Sequence, residues 1–192
     1  MILTFRKGRT MDSLMQTELV DGNGNVAFDF AGGRKRTTVA RWTYPYTGIR
    51  SRMAVATIDW HDTRPIVVTY RGMVRDADDY LFKQGGPSMR AFTSATGRSY
   101  VWSPIGKSWQ LHVLGICQPV ARSHNRSFGI LGAHPHPSYL ELDDAVAAAD
   151  AEEIVLTYIY MKHHMQPVLE TCFGAIYTSH EAVCECRRKL SY

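Results

Sequence analysis

The arginine and lysine side chains of this sequence are suited to binding an anion, and several of them occur in short basic segments. Arg34, Lys35 and Arg36 follow two glycines, while Arg50 and Arg52 precede a segment rich in β-formers. Near an anionic membrane each such charge adds roughly 1 kcal/mol to binding. If the fold brings the two segments together, they form a patch for phosphates or lipid headgroups. The alternative is that they are separate, solvated surface charges.

Histidine and cysteine offer a second chemistry, since both are common metal ligands. The candidate ligands are His134, His136, Cys172, His180, Cys184 and Cys186. The first two flank a proline, and the others lie near the end of the chain. A Cys-x-Cys pair is not the usual spacing of a zinc knuckle, although both thiols share one face of an extended strand. A metal site is therefore one hypothesis, and a polar loop with a free-thiol tail is the other.

Known catalytic motifs are missing from the sequence. It contains neither a Gly-x-Ser-x-Gly elbow nor a P-loop. Cys117 follows the apolar residues 114–116, which predicts a buried, inert thiol. The acidic pairs Asp78-Asp79, Asp143-Asp144 and Glu152-Glu153 are predicted to lie in turns and at helix starts. No cofactor is predicted, and a non-enzymatic role is favoured.

Composition and charge restrict the class of protein. The 192 residues are 45% hydrophobic and 21% charged, which is typical of one folded domain. The net charge of +4 is too small a surplus to predict nucleic-acid binding. No apolar run approaches the roughly 20 residues that span a bilayer, and the first residues lack the pattern of a secretory signal. The sequence therefore predicts a cytoplasmic protein.

Short β-segments separated by turn residues extend from residue 14 to about residue 140. The run Asp21-Gly22-Asn23-Gly24-Asn25 is typical of a tight hairpin, because glycine and asparagine tolerate positive φ. Within Met53–Trp60, apolar residues alternate as they do in a half-buried strand. This pattern favours an antiparallel barrel or sandwich over alternating βαβ units.

A helix is predicted near the C-terminus. Acidic residues within Asp143–Asp150, the basic Lys162–His164 and then Pro167 are typical of a helix start and end. The intervening Ile154–Met161 is apolar on nearly every side, so the helix must be enclosed all round. A barrel with a helix through its middle provides that enclosure. The β-branched and aromatic residues of this run also suit a strand.

Six short motifs occur in a fixed order between residues 14 and 166. They are Leu14–Phe30, Arg36–Arg41, Val55–His61, Gly97–Trp102, Val120–His124 and Glu153–Tyr160. Their order resembles an uncharacterised fungal family with a tubby-like fold, distantly similar to the phospholipid scramblase and tubby C-terminal domains. The resemblance implies a closed antiparallel β-barrel of about twelve strands around a central hydrophobic helix.

These observations predict a mainly β protein with one domain and an extension. Residues 1–166 are expected to form the tubby-like barrel, with its helix at about 142–166, and residues 167–192 a C-terminal extension. The predicted function is a binding module that engages anionic phospholipid or a protein partner through basic loops, peripherally at membranes. The alternatives are a metal-dependent or small-ligand-binding enzyme, and a structural or regulatory protein. The fold alone does not choose among them.

Overall fold

The protein is described here by a computed structural model that covers residues 1–6, 16–45, 48–86, 88–128 and 134–165. Within these residues, thirteen antiparallel strands form one sheet. The strands are β1 Ile2–Phe5, β2 Thr17–Val20, β3 Val26–Gly32, β4 Arg36–Thr43, β5 Ser51–Asp59, β6 Val67–Tyr70, β7 Met73–Asp76, β8 Phe82–Lys83, β9 Arg90–Thr93, β10 Ser99–Ile105, β11 Ser108–Val113, β12 Pro119–His124 and β13 Tyr139–Leu142. The helices are α1 Ala77–Tyr80 and α2 Asp144–Tyr160, and a π-helical turn, Met161–Met165, continues α2.

The predicted hairpin at residues 21–25 joins β2 to β3. Asp21 Oδ1 accepts hydrogen bonds from the main-chain N–H groups of Asn23 and Asn25, both at 2.9 Å. Gly24 has φ +79°, the region that glycine enters without strain. The turn residues thus act as the sequence predicts.

The predicted C-terminal helix is confirmed, and the sheet curves around it. Every residue of α2 from Asp150 onward is buried. The ring of Tyr158 lies 6.1 Å from that of Phe5 on β1 and 5.8 Å from that of Trp102 on β10. Because β1 and β10 are distant in the order of the sheet, these contacts enclose the helix from different sides. None of the helices in the described residues is long and apolar enough to cross a bilayer.

The prediction of a closed barrel is wrong in one respect, because the sheet has two open edges. Its strand order begins with β7 and ends with β8, and no ladder of hydrogen bonds joins these two strands in the described part of the chain. The chain between them forms α1, where the Leu81 N–H donates to the Ala77 carbonyl at 2.7 Å. The edge strand β8 then has only two residues. In a closed barrel β7 and β8 would pair with each other, but here a helical turn lies between them. We call the resulting gap between these two edge strands the open seam.

The antiparallel order sorts the loops into two groups at opposite ends of the sheet. We call one the Arg50 end; it carries loops 21–25, 44–50, 71–72, 94–98 and 114–118 and the start of α2. The other, the Arg34 end, carries loops 33–35, 60–66 and 106–107 and the π-helical turn. This division decides which predicted site residues share a surface.

Candidate functional site

The first predicted basic segment forms the tight turn between β3 and β4. The Gly33 N–H donates to the Arg36 carbonyl at 2.9 Å, and Arg34 and Lys35 are exposed at the tip. The Arg36 guanidinium pairs with both carboxylate oxygens of Asp59 on β5, with an Nη2–Oδ2 distance of 3.0 Å. The turn therefore displays Arg34 and Lys35, while Arg36 is held against the sheet.

Only glycine fits the end of β3 that begins this turn. Gly32 has φ +148°, and a side-chain carbon there would lie 2.0 Å from the Arg36 carbonyl oxygen. We expect Gly32→Ala to lower the free energy of unfolding by about 1.5 kcal/mol, because the turn must shift. Urea denaturation measures this. The control is Gly33→Ala, whose new carbon meets no described atom within 4 Å; equal losses in both variants would contradict the prediction.

The second basic segment lies at the opposite end of the β4–β5 hairpin. In the register of these strands Arg36 is opposite Asp59, whereas Arg52 is opposite Trp42. The path along β4 from Arg36 to Trp42 is about 20 Å at roughly 3.3 Å per residue. The two basic segments therefore belong to different ends of the sheet and do not form one patch.

Arg52 of β5 is held by a carboxylate of β3, which lies two strands away across β4. Its Nε and Nη2 donate to the two oxygens of Asp29 at 2.8 and 2.7 Å, and Trp42 Nε1 donates to Asp29 Oδ2 at 2.6 Å. Burial raises the pKa of Asp29, but the hydrogen bonds from Arg52 and Trp42 outweigh it, and the pKa lies below its usual value. Asp29 thus stays ionised and keeps Arg52 on the sheet.

Arg50 lies beside exposed apolar side chains at the end of the β4–β5 loop, directly before β5. Its guanidinium carbon lies 5.8 Å from the centre of the Tyr44 ring, within the range of a cation–π contact. The Tyr44 hydroxyl donates to the Val26 carbonyl at 3.0 Å, which fixes the ring. The adjacent Ile49 is 75% exposed. An apolar side chain therefore projects beside a positioned arginine.

Other exposed apolar side chains lie at the same end. Loop 114–118 displays Leu114 and Ile116, because the chain turns where the Ile116 N–H donates to the Val113 carbonyl at 2.9 Å. Cys117 follows them and is exposed, so the prediction of a buried thiol is wrong: this turn carries it outward instead of into the core.

Three carboxylates of α2 lie inside the curved sheet near the Arg50 end. Asp150, Glu152 and Glu153 are 2%, 5% and 3% exposed. The prediction that Glu152 and Glu153 lie at a helix start is wrong, because α2 already begins at Asp144 and places them beyond its second turn. Asp143 does begin the helix, since its Oδ1 accepts from the Ala145 N–H at 3.0 Å.

Glu152 binds two arginines that reach over the rim of the sheet. Arg41 Nη1 donates to Oε1 at 2.9 Å, and Arg71 Nη2 donates to Oε2 at 2.8 Å. The Tyr70 hydroxyl donates to Oε2 at 3.3 Å. Burial raises the pKa of Glu152, but the hydrogen bonds and charges of the two arginines outweigh it, so the pKa lies below its usual value. Glu152 is therefore a charged anchor between helix and sheet.

No arginine of the described residues donates a hydrogen bond to Glu153, which lies beside the open seam. Its Oε1 accepts from the Tyr80 hydroxyl at 2.9 Å, and its Oε2 accepts from the Ala95 N–H at 2.7 Å. Burial raises the pKa of Glu153 above its usual value despite these two hydrogen bonds. The Tyr100 hydroxyl donates to the nearby Asp150 at 2.6 Å. Glu153 thus offers a poorly solvated carboxyl to any donor that enters the seam.

A cavity of about 90 Å³ opens at this carboxyl between β6–β7 and the β9–β10 loop. Its lining consists of Val68, Tyr70, Met73, Arg75, Tyr80, Thr93, Ser94, Ala95 and Glu153. Local sequence patterns do not indicate the cavity, because it forms only where the sheet fails to close. One sequence signal did point to burial of Glu152 and Glu153. They directly precede Ile154–Met161, which is predicted to be enclosed, so the same helix carries them inside the sheet.

The predicted metal ligands are only partly described. His134 is exposed and His136 half-buried, and His136 Nδ1 lies 2.9 Å from the Pro137 carbonyl oxygen. Among the described residues no group of three or more histidine, cysteine or acidic side chains is placed to hold a metal ion. The other four candidates, Cys172, His180, Cys184 and Cys186, lie outside the described residues, as does the predicted extension 167–192. The metal hypothesis stays a prediction.

Comparison with known protein families identifies the domain. A family described as being of unknown function, DUF6593, matches residues 12–167, most of the chain. The protein belongs to the DUF6593 family. No curated protein and no solved structure matches it.

The DUF6593 match begins after β1 and continues past the π-helical turn. It therefore includes the β4–β5 loop, the open seam and the three buried carboxylates of α2. These features belong to the part of the chain that defines the family, whose description assigns no activity to them.

Proposed function

We propose that this DUF6593 protein is a non-enzymatic binding module that attaches peripherally to anionic phospholipid surfaces through its Arg50 end. The observation that carries the proposal is the segment directly before β5, where the exposed Ile49 precedes Arg50 and Arg50 packs over Tyr44. An apolar side chain for the acyl boundary beside a cation for the headgroups is the combination that interfacial attachment requires. The tubby-like resemblance and a cytoplasmic location are parts of the same proposal.

The β3–β4 turn, which carries the other predicted basic residues, is less suited to this role. It exposes Arg34 and Lys35, but Arg36 is engaged by Asp59 and no residue of loop 33–35 is apolar. Charge alone gives attraction that salt screens strongly. Because stable peripheral attachment generally takes two signals, we assign the contact to the Arg50 end.

Vesicle co-sedimentation tests the proposal. We expect the protein to bind phosphatidylcholine vesicles that contain phosphatidylserine or a phosphoinositide, and to bind pure phosphatidylcholine much less. Arg50→Ala should weaken binding about fivefold, the equivalent of roughly 1 kcal/mol for one interfacial cation. Ile49→Ser should weaken it about tenfold, because its exposed side chain no longer enters the membrane boundary.

The matched control is the double variant Arg34→Ala and Lys35→Ala, which removes two exposed cations from the opposite end. We expect its vesicle binding to stay within about twofold of the wild type. Loss of binding in this variant alone would move the contact to the Arg34 end and contradict the proposal. Absence of binding to every anionic vesicle at low salt would reject membrane attachment. A binding module for a protein partner would then be the function that is still predicted.

A further inference from the structure

The edge strand β7 is exposed on both faces. All four of its residues are exposed, including Met73 at 51% and Val74 at 68%. Every other described strand of four or more residues contains at least one buried residue. Strand β7 therefore extends beyond the core into the open seam, although it pairs with β6 along its whole length.

The hairpin that joins β6 to β7 determines which main-chain groups face the seam. Its two turn residues, Arg71 and Gly72, have φ +48° and +82°, as in a type I′ turn. The pair that flanks such a turn, Tyr70 and Met73, is hydrogen-bonded, and hydrogen-bonded pairs alternate with non-bonded ones. The N–H and C=O groups of Val74 therefore point away from β6 to the open edge, where an added strand can pair with them.

The cavity of about 90 Å³ lies directly beside this edge, with Met73 and Arg75 of β7 in its lining. Glu153 lines it from α2 and is 3% exposed. Each oxygen of Glu153 accepts one hydrogen bond, from Tyr80 or from Ala95. Because a carboxylate oxygen accepts two, both retain capacity for a further donor. The cavity thus ends on a buried acceptor.

Glu153 supplies the acidic side chain of the cavity lining, and Arg75 supplies the basic one. Asp76, Asp78 and Asp79 are exposed on β7 and α1 but are not part of the cavity lining. The Arg75 side chain extends along its strand, with Nη2 4.0 Å from Met73 Sδ. Arg71 is engaged by Glu152.

We infer that the free edge of β7 and the adjoining cavity form a site for an extended segment of a partner protein that carries a lysine. The segment pairs with the outward main-chain groups of Val74, and its lysine ammonium enters the cavity and donates to Glu153. Strand addition supplies affinity in this mode of recognition, and the side-chain pocket supplies specificity. The site is separate from Ile49 and Arg50, so it goes beyond the proposed attachment to membranes.

Fluorescence anisotropy of labelled, capped peptides titrated with the whole protein tests this inference. The probe is a seven-residue peptide of alternating threonine and valine with lysine at its centre, and the comparison peptide has norleucine there. We expect the lysine peptide to bind about tenfold more tightly, since it alone donates to the buried carboxyl. Glu153→Gln should bring the two peptides to within about twofold of each other.

A second variant tests the strand pairing. Val74→Pro removes the outward N–H without removing a hydrogen bond to β6. It should therefore weaken the binding of both peptides about tenfold. Val74→Thr, which keeps the N–H, is its matched control. In the wild type, hydrogen exchange at the Val74 amide should slow when the lysine peptide is added. This measurement does not depend on the folding of any variant. Both substitutions should leave vesicle binding unchanged.

Three results would overturn the inference. The first is no binding of either peptide, and the second is a preference for lysine that persists in Glu153→Gln. The third is a dimer in light scattering that Val74→Pro converts to a monomer, because a second copy of the chain would then occupy the edge.

Discussion

Replacing Trp102 by alanine is expected to lower the free energy of unfolding by about 4 kcal/mol, within the range for removing a buried tryptophan. The side chain is completely buried. Its ring lies 5.8 Å from that of Tyr158, and its Nε1 donates to Thr157 Oγ1 at 3.0 Å. The substitution therefore creates a cavity between β10 and α2 and leaves the Thr157 hydroxyl with one partner fewer.

Urea denaturation followed by circular dichroism measures this loss. The matched control is Trp42→Ala, which makes the same substitution in a half-buried side chain at the Arg50 end. We expect it to cost about 1.5 kcal/mol, since a hydrogen bond to the charged Asp29 is lost there but little core packing. Equal losses in the two variants would contradict the central position of α2.

Part of this architecture is readable from local sequence. Because Ile154–Met161 is apolar on every side, it predicts a helix enclosed all round, and the structure confirms this burial. The hairpin at residues 21–25 is specified by its glycines and asparagines. The separation of Arg36 from Arg50 was left open by the sequence and follows from the register of β4 and β5.

Other features depend on contacts that local patterns do not contain. Glu152 meets Arg41 and Arg71, which lie 111 and 81 residues earlier in the chain. The open seam depends on the four-residue helix α1, whose Ala-Asp-Asp-Tyr sequence suits a turn equally well. A resemblance to barrel proteins also favours closure. The cavity at Glu153 exists only because closure fails.

Replacing Glu152 by glutamine is expected to lower the free energy of unfolding by about 3 kcal/mol at pH 7, since a buried acceptor of charged hydrogen bonds is lost. The side chain of Glu152 is 6% exposed, whereas those of Arg41 and Arg71 are 45% and 57% exposed. Water therefore still solvates both arginines in the variant, which keeps the loss at the lower end for a broken buried pair. Urea denaturation at pH 7 measures it.

In acid, the free energy of unfolding of Glu152→Gln should approach that of the wild type. The pKa of Glu152 is lower in the folded chain than its ordinary value of 4.5, so its stabilisation is complete above pH 4.5 and is lost as the pH falls through the folded pKa. The difference between wild type and Glu152→Gln should therefore shrink as the pH falls below 4.5. Glu153, whose pKa is shifted upward, has the opposite effect on stability, but it is present in both proteins and cancels in the difference.

Glu141→Gln is the matched control for this pH series. Glu141 is 52% exposed and pairs only with His124 among the described residues, at 3.2 Å, so we expect a change below about 0.5 kcal/mol at every pH. A Glu152→Gln loss that stays constant down to acid pH would show that the glutamine disturbs packing instead of charge. Since Arg41 and Arg71 extend from opposite sides of β5, a loss that disappears in acid means that ionised Glu152 ties these parts of the sheet to the helix.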